Sequence, residues 1–433
     1  MKSIRTVVAA GLVGGALVLT SACGGGGGGG GNGGAGGAAA KAELGAGGAA
    51  AKAELGAGGA AGAPSAPSAT APAAPATSAA PAVSQAVVDI RPKAGAVDVA
   101  PDGALKVAVS GGRLTTVKVS DRAGREVAGT IAADGASWTP SAPLQVGTAY
   151  QVSALAADAG GVVASADSSF TTLTPEREAK AGDNVQDGAT YGVGMIVSVS
   201  FDKDVKNKEA VAKGITFETS DGTVVRGHWF GDRRLDFRPE KYWTPGTTVT
   251  VRYRLKSVEI APGVYGGVDR DEPFTIGRSR ISTVDARTHL MTVVEDGRSS
   301  VVEITSGSPE HPTWNGTMVV MSKEGVVRMR SSTLPGMTGE PYDLQAPHSM
   351  RLTDSGTYVH GNYWADPLPF GKTNVSHGCV GLKDVEGGAP GTSAGTFYDG
   401  SLIGDVVGVQ NSTRGRVAPD NGLSGWNLDW SAW

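Results

Sequence analysis

The chain has 433 residues and a formal net charge of −4 at pH 7, and 18% of its residues are charged. A chain of this length favours two to four domains over a single core. Because no stretch is rich in Lys and Arg, the sequence lacks the electrostatic signature of a nucleic-acid-binding protein, and we expect no nucleic-acid partner.

The first 23 residues have the pattern of a secretory signal. Lys2 and Arg5 give a positively charged start, and the apolar segment from Val7 to Leu19 is too short to span a bilayer comfortably. We therefore expect the protein to be exported.

Residues 1–23 end on LTSAC, in which Cys23 follows small residues. This segment resembles the lipobox of bacterial lipoproteins, where the cysteine is lipidated, although Thr20 stands where Leu is usual. An ordinary signal peptide with an incidental Cys23 is the alternative. We predict lipidation at Cys23 and, through it, anchoring to the outer face of the cytoplasmic membrane. The exported part then holds one cysteine, Cys379, and an odd cysteine suggests a reactive thiol.

Residues 24–85 are of low complexity. Two tandem copies of GAGGAAAKAEL precede a tract of Pro, Ala and Ser. The repeated GAGG interrupts each short helix-forming segment, and the stretch has too few large apolar residues for a core. We predict a disordered tether that holds the folded part away from the membrane; on composition alone, a disordered tail without a role is the alternative.

Short alternating segments separated by turn residues fill residues 86–277. Apolar residues recur at period two, with many β-branched side chains, which predicts strands. The segment Trp138-x-Pro140 followed by Tyr150 recurs at the same spacing as Phe237-x-Pro239 followed by Val249. This internal repeat predicts two consecutive Ig-like β-sandwich modules, residues 86–174 and 175–277, without a disulfide.

The strand pattern continues through residues 278–411, where Asp296-Gly297 predicts a hairpin turn. No long amphipathic helix stands out, so this third domain is also predicted to be mainly β. Residues 412–433 form a Trp-rich extension, with Trp426, Trp430 and Trp433 among the last eight residues. Because three exposed indoles are costly in water, we predict that the extension packs on the folded part.

The candidate for chemistry is the stretch from Tyr358 to Leu382, which contains His360, His377 and Cys379. A cysteine becomes a useful nucleophile beside a base or convergent backbone N–H groups. His360 is a candidate base that reaches Cys379 only through the fold. Gly378 allows unusual backbone torsions and close approach of a substrate, and neighbouring N–H groups there suit an oxyanion hole.

Other interpretations of these residues are weaker. Zinc binding by His360, His377 and Cys379 is disfavoured because His-x-Cys is poor spacing for a structural site and no fourth ligand stands out. A papain-like protease has its cysteine well before its histidine, whereas here the order is reversed. We therefore predict no metal and no cofactor. The remaining histidines are interpreted as surface or core residues: His228, His289, His311 and His348.

The pattern of His360-Gly361 followed by Ser376-His377-Gly378-Cys379 resembles the signature of the L,D-transpeptidase (YkuD) family, and the run DNGLSGWNLDWSAW resembles the extension of its actinobacterial enzymes. The resemblance covers nearly everything after the tether. It implies a mainly-β catalytic domain after two Ig-like modules. One departure is Gly381, which stands where the family usually has Arg or Asn.

The resemblance also implies residue roles. Cys379 would be the nucleophile and His360 the general base, oriented by the backbone carbonyl of Gly361. His377 and Gly378 would shape an oxyanion hole with the Cys379 N–H. The implied donor pocket is lined by Tyr342, Trp364 and Ser376.

The implied reaction is acyl transfer on peptidoglycan stem peptides. Cys379 would form a thioester with a tetrapeptide donor, and the side-chain amine of a diaminopimelate acceptor would resolve it, giving a 3→3 cross-link. Carbapenem-type β-lactams are the implied inhibitors. The alternatives are L,D-carboxypeptidase activity, attachment of a protein to peptidoglycan, and a non-catalytic wall-binding lipoprotein. On this interpretation the anchored chain reaches into the cell wall, and the Ig-like modules act as rigid spacers or contact the wall.

Overall fold

The computed structural model describes residues 82–330, 342–365 and 368–433. The predicted signal sequence, the lipidation at Cys23 and all but the end of the predicted tether lie outside these residues. Within the described ranges, no helix is both long enough and apolar enough to cross a membrane.

The first module consists of two four-stranded sheets, with strand orders β1-β3-β6-β5 and β2-β8-β7-β4. Alternate residues of the long strands are buried between the sheets, as the period-two pattern requires; on β7 these are Tyr150, Val152, Ala154 and Ala156. The strands are β1 (Val87–Arg91), β2 (Ala96–Val99), β3 (Lys106–Ser110), β4 (Arg113–Asp121), β5 (Gly129–Ile131), β6 (Ser137–Pro140), β7 (Ala149–Ala157) and β8 (Val163–Thr172).

The second module has two four-stranded sheets, β10-β12-β15-β14 and β11-β19-β16-β13, and a small sheet β17-β18-β9. One short helix precedes β13. The elements are β9 (Arg177–Ala179), β10 (Ala181–Asp183), β11 (Thr190–Tyr191), β12 (Val197–Phe201), α1 (Lys208–Lys213), β13 (Ile215–Thr219), β14 (Val225–Phe230), β15 (Arg234–Pro239), β16 (Thr248–Arg254), β17 (Glu259–Ala261), β18 (Val264–Gly266) and β19 (Asp269–Ile276).

The internal repeat corresponds to equivalent positions in the two modules. Trp138 and Phe237 are both buried in strands of the cores. Tyr150 lies opposite Phe170 between β7 and β8, and Val249 lies opposite Phe274 between β16 and β19. The predicted repeat and the mainly-β, Ig-like architecture are confirmed.

The third region is built on a nine-stranded sheet with the order β23-β28-β20-β21-β22-β27-β26-β25-β24. The long strand β22 joins its two parts, since its first residues pair with β21 and its last two, Ile304 and Thr305, pair with β27. The elements are β20 (Arg280–Asp285), β21 (Leu290–Glu295), β22 (Arg298–Thr305), β23 (Gly316–Val319), β24 (Ser322–Arg330), β25 (Asp343–Arg351), β26 (Tyr358–Asn362), β27 (Val380–Lys383), α2 (Ser393–Gly400) and β28 (Val406–Gln410), followed by two 3-10 turns, Gly425–Asn427 and Trp430–Ala432.

Local chemistry explains the turns and the helix of this region. Asp296 and Gly297, with φ of 46° and 80°, form the predicted tight turn between β21 and β22. The side chain of Thr392 caps the first turn of α2 by accepting from Gly395 N at 3.0 Å. Helix α2 packs against β25, β26 and β27, the strands that carry the candidate site.

The Trp-rich extension packs on the second module. Trp426 Nε1 donates to Gly194 O at 2.8 Å, and Trp433 Nε1 donates to Arg226 O at 2.9 Å. Asn427 connects the same segment to β23 by donating to Thr317 O at 2.6 Å. The prediction that the extension packs is confirmed, and its indoles contact the second module.

Candidate active site

Cys379 directly precedes β27, which pairs with the strand that carries His360. Strands β26 and β27 are parallel, with Val359 opposite Val380 and His360 opposite Gly381. The Cys379 Sγ donates to Gly356 O, just before β26, and the backbone N–H of Tyr358 acts on the same thiol. The thiol thus lies beside the start of the strand that carries His360.

The imidazole of His360 is buried and held in one orientation. Its Nδ1 is 2.8 Å from the carbonyl oxygen of Gly361. A carbonyl oxygen only accepts, so Nδ1 carries the proton and Nε2 is left as the basic nitrogen. Burial lowers the pKa of His360, while its hydrogen bond to Gly361 and the charge of Asp384 act in the opposite direction. The ring is thus a neutral base with a fixed tautomer.

The thiol of Cys379 is neutral in the resting site. The residue is half-buried, and its Sγ donates to Gly356 O at 3.7 Å. Burial raises the pKa of the Cys379 thiol to about 11, and the backbone N–H of Tyr358 opposes that rise. A base that takes the proton at the moment of attack is therefore needed.

The turn before Cys379 is braced by Ser376. Its hydroxyl donates to Cys379 O at 2.6 Å and accepts from Gly378 N at 3.2 Å. Gly378 has φ of 116°, a conformation that favours glycine, and a methyl group there would still be 3.8 Å from the nearest heavy atom. Glycine is thus required for its backbone conformation. Because the Gly378 N–H is already engaged, it is poorly placed to serve in an oxyanion hole.

Several aromatic rings lie near Cys379 and His360. The ring of His377 packs between those of His311 and Tyr342, with centroid distances of 5.0 and 4.8 Å. Burial raises the pKa of the Tyr342 hydroxyl, and the negative charge of the Cys379 thiolate adds to the rise, so the two side chains are close. Trp364 stacks on His360 at 5.6 Å and keeps 37% of its surface exposed. Tyr342 is thus close to Cys379 and packs on His377, while Trp364 stacks on His360.

The unusual glycine at position 381 has a local explanation. Gly381 lies on β27 opposite Thr305 of β22. A methyl group built on Gly381 would be 2.8 Å from the Thr305 Cγ2. The Thr305 methyl therefore occupies the space into which a side chain at position 381 would extend.

The structure adds three residues that the sequence did not single out. His311 packs on His377, and His348 Nδ1 lies 2.7 Å from the Asp384 carboxylate, which itself abuts Gly361. The sequence alone predicts only ordinary surface or core residues at His311 and His348. Their partners are distant in sequence and no local pattern marks them.

The described residues contain no group of three or more His, Cys, Asp or Glu side chains positioned to hold a metal ion. The set of His360, His377 and Cys379 is thus not arranged as a zinc site.

Comparison with known proteins agrees with this geometry. Residues 279–396 match the model of the L,D-transpeptidase catalytic domain (YkuD), and residues 96–259 match a bacterial Ig domain. L,D-transpeptidase 2 of Mycobacterium tuberculosis is 31% identical over 356 residues, which cover 82% of this chain and 84% of that protein. L,D-transpeptidase 5 of the same species is 28% identical over 352 residues, covering 79% and 75%.

Among solved structures, an L,D-transpeptidase in complex with imipenem is 29% identical, with a TM-score of 0.45, and the match covers 53% of this chain and 97% of that one. The similarity to the two mycobacterial sequences extends over most of this chain, and so includes both the Ig-like and the catalytic regions. The chain belongs to the L,D-transpeptidase family.

Proposed function

We propose that this chain is a peptidoglycan L,D-transpeptidase that forms 3→3 cross-links through a thioester on Cys379. The observation that supports the proposal is the pairing of β26 with β27, which brings the strand of a neutral, oriented His360 beside the residue that precedes β27, Cys379. Membership of the family supplies the reaction class. The residue roles are those that the resemblance to the family implies, and the buried, oriented imidazole of His360 supports them.

In the first half-reaction, Cys379 Sγ attacks the carbonyl carbon of the peptide bond before the terminal D-Ala of a tetrapeptide stem. The thiol proton passes to His360 Nε2 as the S–C bond forms. The backbone N–H of Cys379 would donate to the developing oxyanion, and the Ser376 hydroxyl braces the turn that carries it by donating to Cys379 O. The C–N bond then breaks, the proton on His360 moves to the leaving amine, and D-Ala departs.

In the second half-reaction, the side-chain amine of a diaminopimelate on a neighbouring stem attacks the thioester. His360 accepts the proton of that amine and returns it to Sγ as the C–S bond breaks. The products are the 3→3 cross-link and the free thiol. We assign Tyr342, Trp364 and Ser376 to the donor side of this site. The Tyr342 ring packs on His377, the Trp364 ring stacks on His360, and the Ser376 hydroxyl donates to Cys379 O.

The test is incubation of the exported chain with tetrapeptide-stem muropeptides, followed by mass spectrometry. We expect release of D-Ala and the appearance of dimers joined through two diaminopimelate residues, and no reaction with Cys379→Ala. Tripeptide monomers without dimers would instead indicate the L,D-carboxypeptidase. Intact substrate with the native chain would support a wall-binding role without catalysis.

A carbapenem provides an independent probe of the nucleophile. A strained β-lactam carbonyl is an acylating agent for an activated thiol, so we expect a covalent adduct of one carbapenem per chain. The Cys379→Ala variant should show no adduct. An adduct on that variant would assign the nucleophile elsewhere.

We also propose that Cys23 carries a lipid that anchors the exported chain at the outer face of the cytoplasmic membrane. The LTSAC segment after a short apolar stretch supports this anchoring. Metabolic labelling with an alkyne fatty acid tests it. Label on the native chain and none on Cys23→Ala is expected, whereas equal labelling of both, or of neither, would contradict it.

A further inference from the structure

A buried carboxylate lies beside the peptide that holds the catalytic base. A methyl group built on Gly361 would be 2.0 Å from Asp384 Oδ2. Glycine at position 361 therefore makes room for this carboxylate, and any other residue there would displace it. The carbonyl of the same Gly361 accepts from His360 Nδ1. Gly361 thus lies between the carboxylate of Asp384 and the imidazole of His360.

Asp384 is fixed from several directions. Its Oδ1 accepts from the backbone N–H of Val385 at 2.9 Å and from the hydroxyl of Thr392 at 3.0 Å. The same hydroxyl caps α2, so the carboxylate is tied to the helix that covers β25–β27. Only 7% of Asp384 is exposed. A charge so deeply placed is costly unless it is paired or has a function.

His348 completes the arrangement from β25. Its Nδ1 lies 2.7 Å from Asp384 Oδ2, the oxygen that also approaches Gly361. His348 has φ of 50°, which is uncommon for residues other than Gly, although Asn, Asp and His adopt it more often than the rest. Its ring packs 5.3 Å from Tyr398 of α2. The hydrogen bond therefore fixes Oδ2 against Gly361.

We propose that Asp384, held by His348, is a positioning residue for His360. It holds the Gly361 peptide in the orientation that accepts from Nδ1 and stabilises the imidazolium formed when Cys379 gives up its proton. This inference rests on the proposed function, because it assigns His360 the role of general base. It matters for this chain because His360 is buried, and a buried imidazolium needs a nearby negative charge.

Among the charged groups around His360, Asp384 provides this nearby negative charge. The negative charge of Asp384 raises the pKa of His360 against the effect of burial. The titratable side chains on the elements around His360 are Tyr358 on its own strand, Cys379, Lys383 and Asp384 on or beside β27, Asp343, His348 and Arg351 on β25, and Tyr398 and Asp399 on α2. Of the three carboxylates, Asp384 is the one whose charge acts on the pKa of His360.

The decisive variant is Asp384→Asn. Asn keeps the size and the acceptor oxygen for Val385 and Thr392, and His348 can change tautomer to accept from the new amide, so the substitution removes the charge alone. We expect the rate of acylation by a carbapenem to fall about tenfold, which is part of the roughly 10²–10⁴-fold that general-base catalysis supplies. The acidic limb of the pH–rate profile should move to lower pH, since His360 loses the charge that raises its pKa. The substrate KM should not change.

Two further variants and a control complete the design. His348→Asn places an amide donor where Nδ1 stands and suits a positive φ, so it should retain the native rate and profile within about threefold. Gly361→Ala pushes the intact carboxylate away and should reproduce the loss. The control, Asp285→Asn, removes another turn-capping carboxylate that accepts from Arg287 N at 3.0 Å, and should leave the profile unchanged.

The outcomes separate the two proposals. If the native chain is not acylated, the proposed function fails. If the native chain is acylated and Asp384→Asn keeps its rate and its acidic limb, the positioning role of Asp384 is wrong. If Asp384→Asn does not fold, Gly361→Ala decides: a folded Gly361→Ala variant with native rate and profile also overturns the inference.

Discussion

The guanidinium carbon of Arg238 lies 4.3 Å from the centroid of the Trp433 ring. The same guanidinium covers Trp426 at 4.8 Å and Trp430 at 5.2 Å, and its Nη2 donates to Leu428 O at 2.8 Å. Burial lowers the pKa of Arg238 to about 10, so the group remains cationic at neutral pH. One side chain of the second module thus binds all three indoles of the extension that follows the catalytic domain.

Replacing Arg238 with Ala should loosen the extension. A desolvated cation–π contact is worth about 2 kcal/mol. If the second module and the catalytic domain unfold together, losing that much free energy of unfolding lowers Tm by roughly 4–8 °C. Calorimetry should also show the second module and the catalytic domain separating into two transitions. The control is Arg252→Ala, since Arg252 forms exposed ion pairs with Glu218 and Asp271 and its loss should hardly change Tm. An unchanged Tm for Arg238→Ala would contradict the role given to this contact.

The ionisation of the resting site gives a prediction about pH. Burial raises the pKa of the Cys379 thiol to about 11 and lowers that of His360, so at neutral pH neither group is charged. Because the thiolate is the nucleophile, alkylation by iodoacetamide should rise about tenfold per pH unit from neutral pH until it levels off near pH 11. The measurement uses the Cys23→Ala variant, in which Cys379 is the only thiol. A plateau between pH 6 and 8 would instead indicate a preformed thiolate–imidazolium pair.

The sequence predicts those candidate site residues that form a short motif in the chain. It does not predict contacts that depend on the pairing of distant strands. Ser376, His377, Gly378 and Cys379 are contiguous, and their spacing to His360 carries the family pattern. In the structure the Ser376 hydroxyl donates to Cys379 O, and Cys379 Sγ donates to Gly356 O, just before the strand that carries His360. By contrast, nothing near Asp384 in the sequence indicates that its carboxylate meets Gly361 and His348, because that contact depends on the register of β25, β26 and β27.

The fold was predictable for the same reason. Period-two burial and the repeat of Trp138 and Tyr150 as Phe237 and Val249 are properties of short segments, and they indicate two sandwiches. The surface on which the Trp-rich extension packs cannot be predicted from short segments in this way. Hydrophobicity predicts that the three indoles are buried, but only the position of Arg238 in the folded second module explains where they bind.

Gly381 and Thr305 provide a test of packing across β22 and β27. Gly381→Asn would drive a side chain into the Thr305 methyl, which lies 2.8 Å from the position that a Cβ atom at residue 381 would occupy. Overpacking of this kind costs about 1–3 kcal/mol, and we expect a lower midpoint of urea unfolding. Thr305→Ser removes that methyl and keeps the hydroxyl that donates to Thr373 O at 2.9 Å.

The double variant should therefore recover much of the stability lost in Gly381→Asn. A double-mutant cycle measures the coupling between the two positions, expected to be favourable and of about 1 kcal/mol. Additive losses from the two substitutions would show that the Thr305 methyl is not what excludes a side chain from position 381.

The backbone of Gly378 offers a way to separate catalysis from stability. Gly378 and Gly297 both have positive φ, 116° and 80°, and at neither residue would an added Cβ atom come closer than 3.8 Å to another heavy atom. Alanine at either site therefore costs conformational energy without a steric clash, about 1–2 kcal/mol. Gly297 lies in the turn between β21 and β22, whereas Gly378 precedes Cys379 and donates to the Ser376 hydroxyl that braces Cys379.

We expect the two alanine variants to lose similar amounts of stability and only Gly378→Ala to lose acylation by a carbapenem, by about tenfold or more. The physical reason is that a shift of the 376–379 turn misaligns Sγ and the Cys379 N–H, and positioning of reacting groups governs such rates. Urea unfolding and the rate of adduct formation are measured on the same preparations. Equal acylation rates for both variants would mean that the positive φ at Gly378 serves the fold alone.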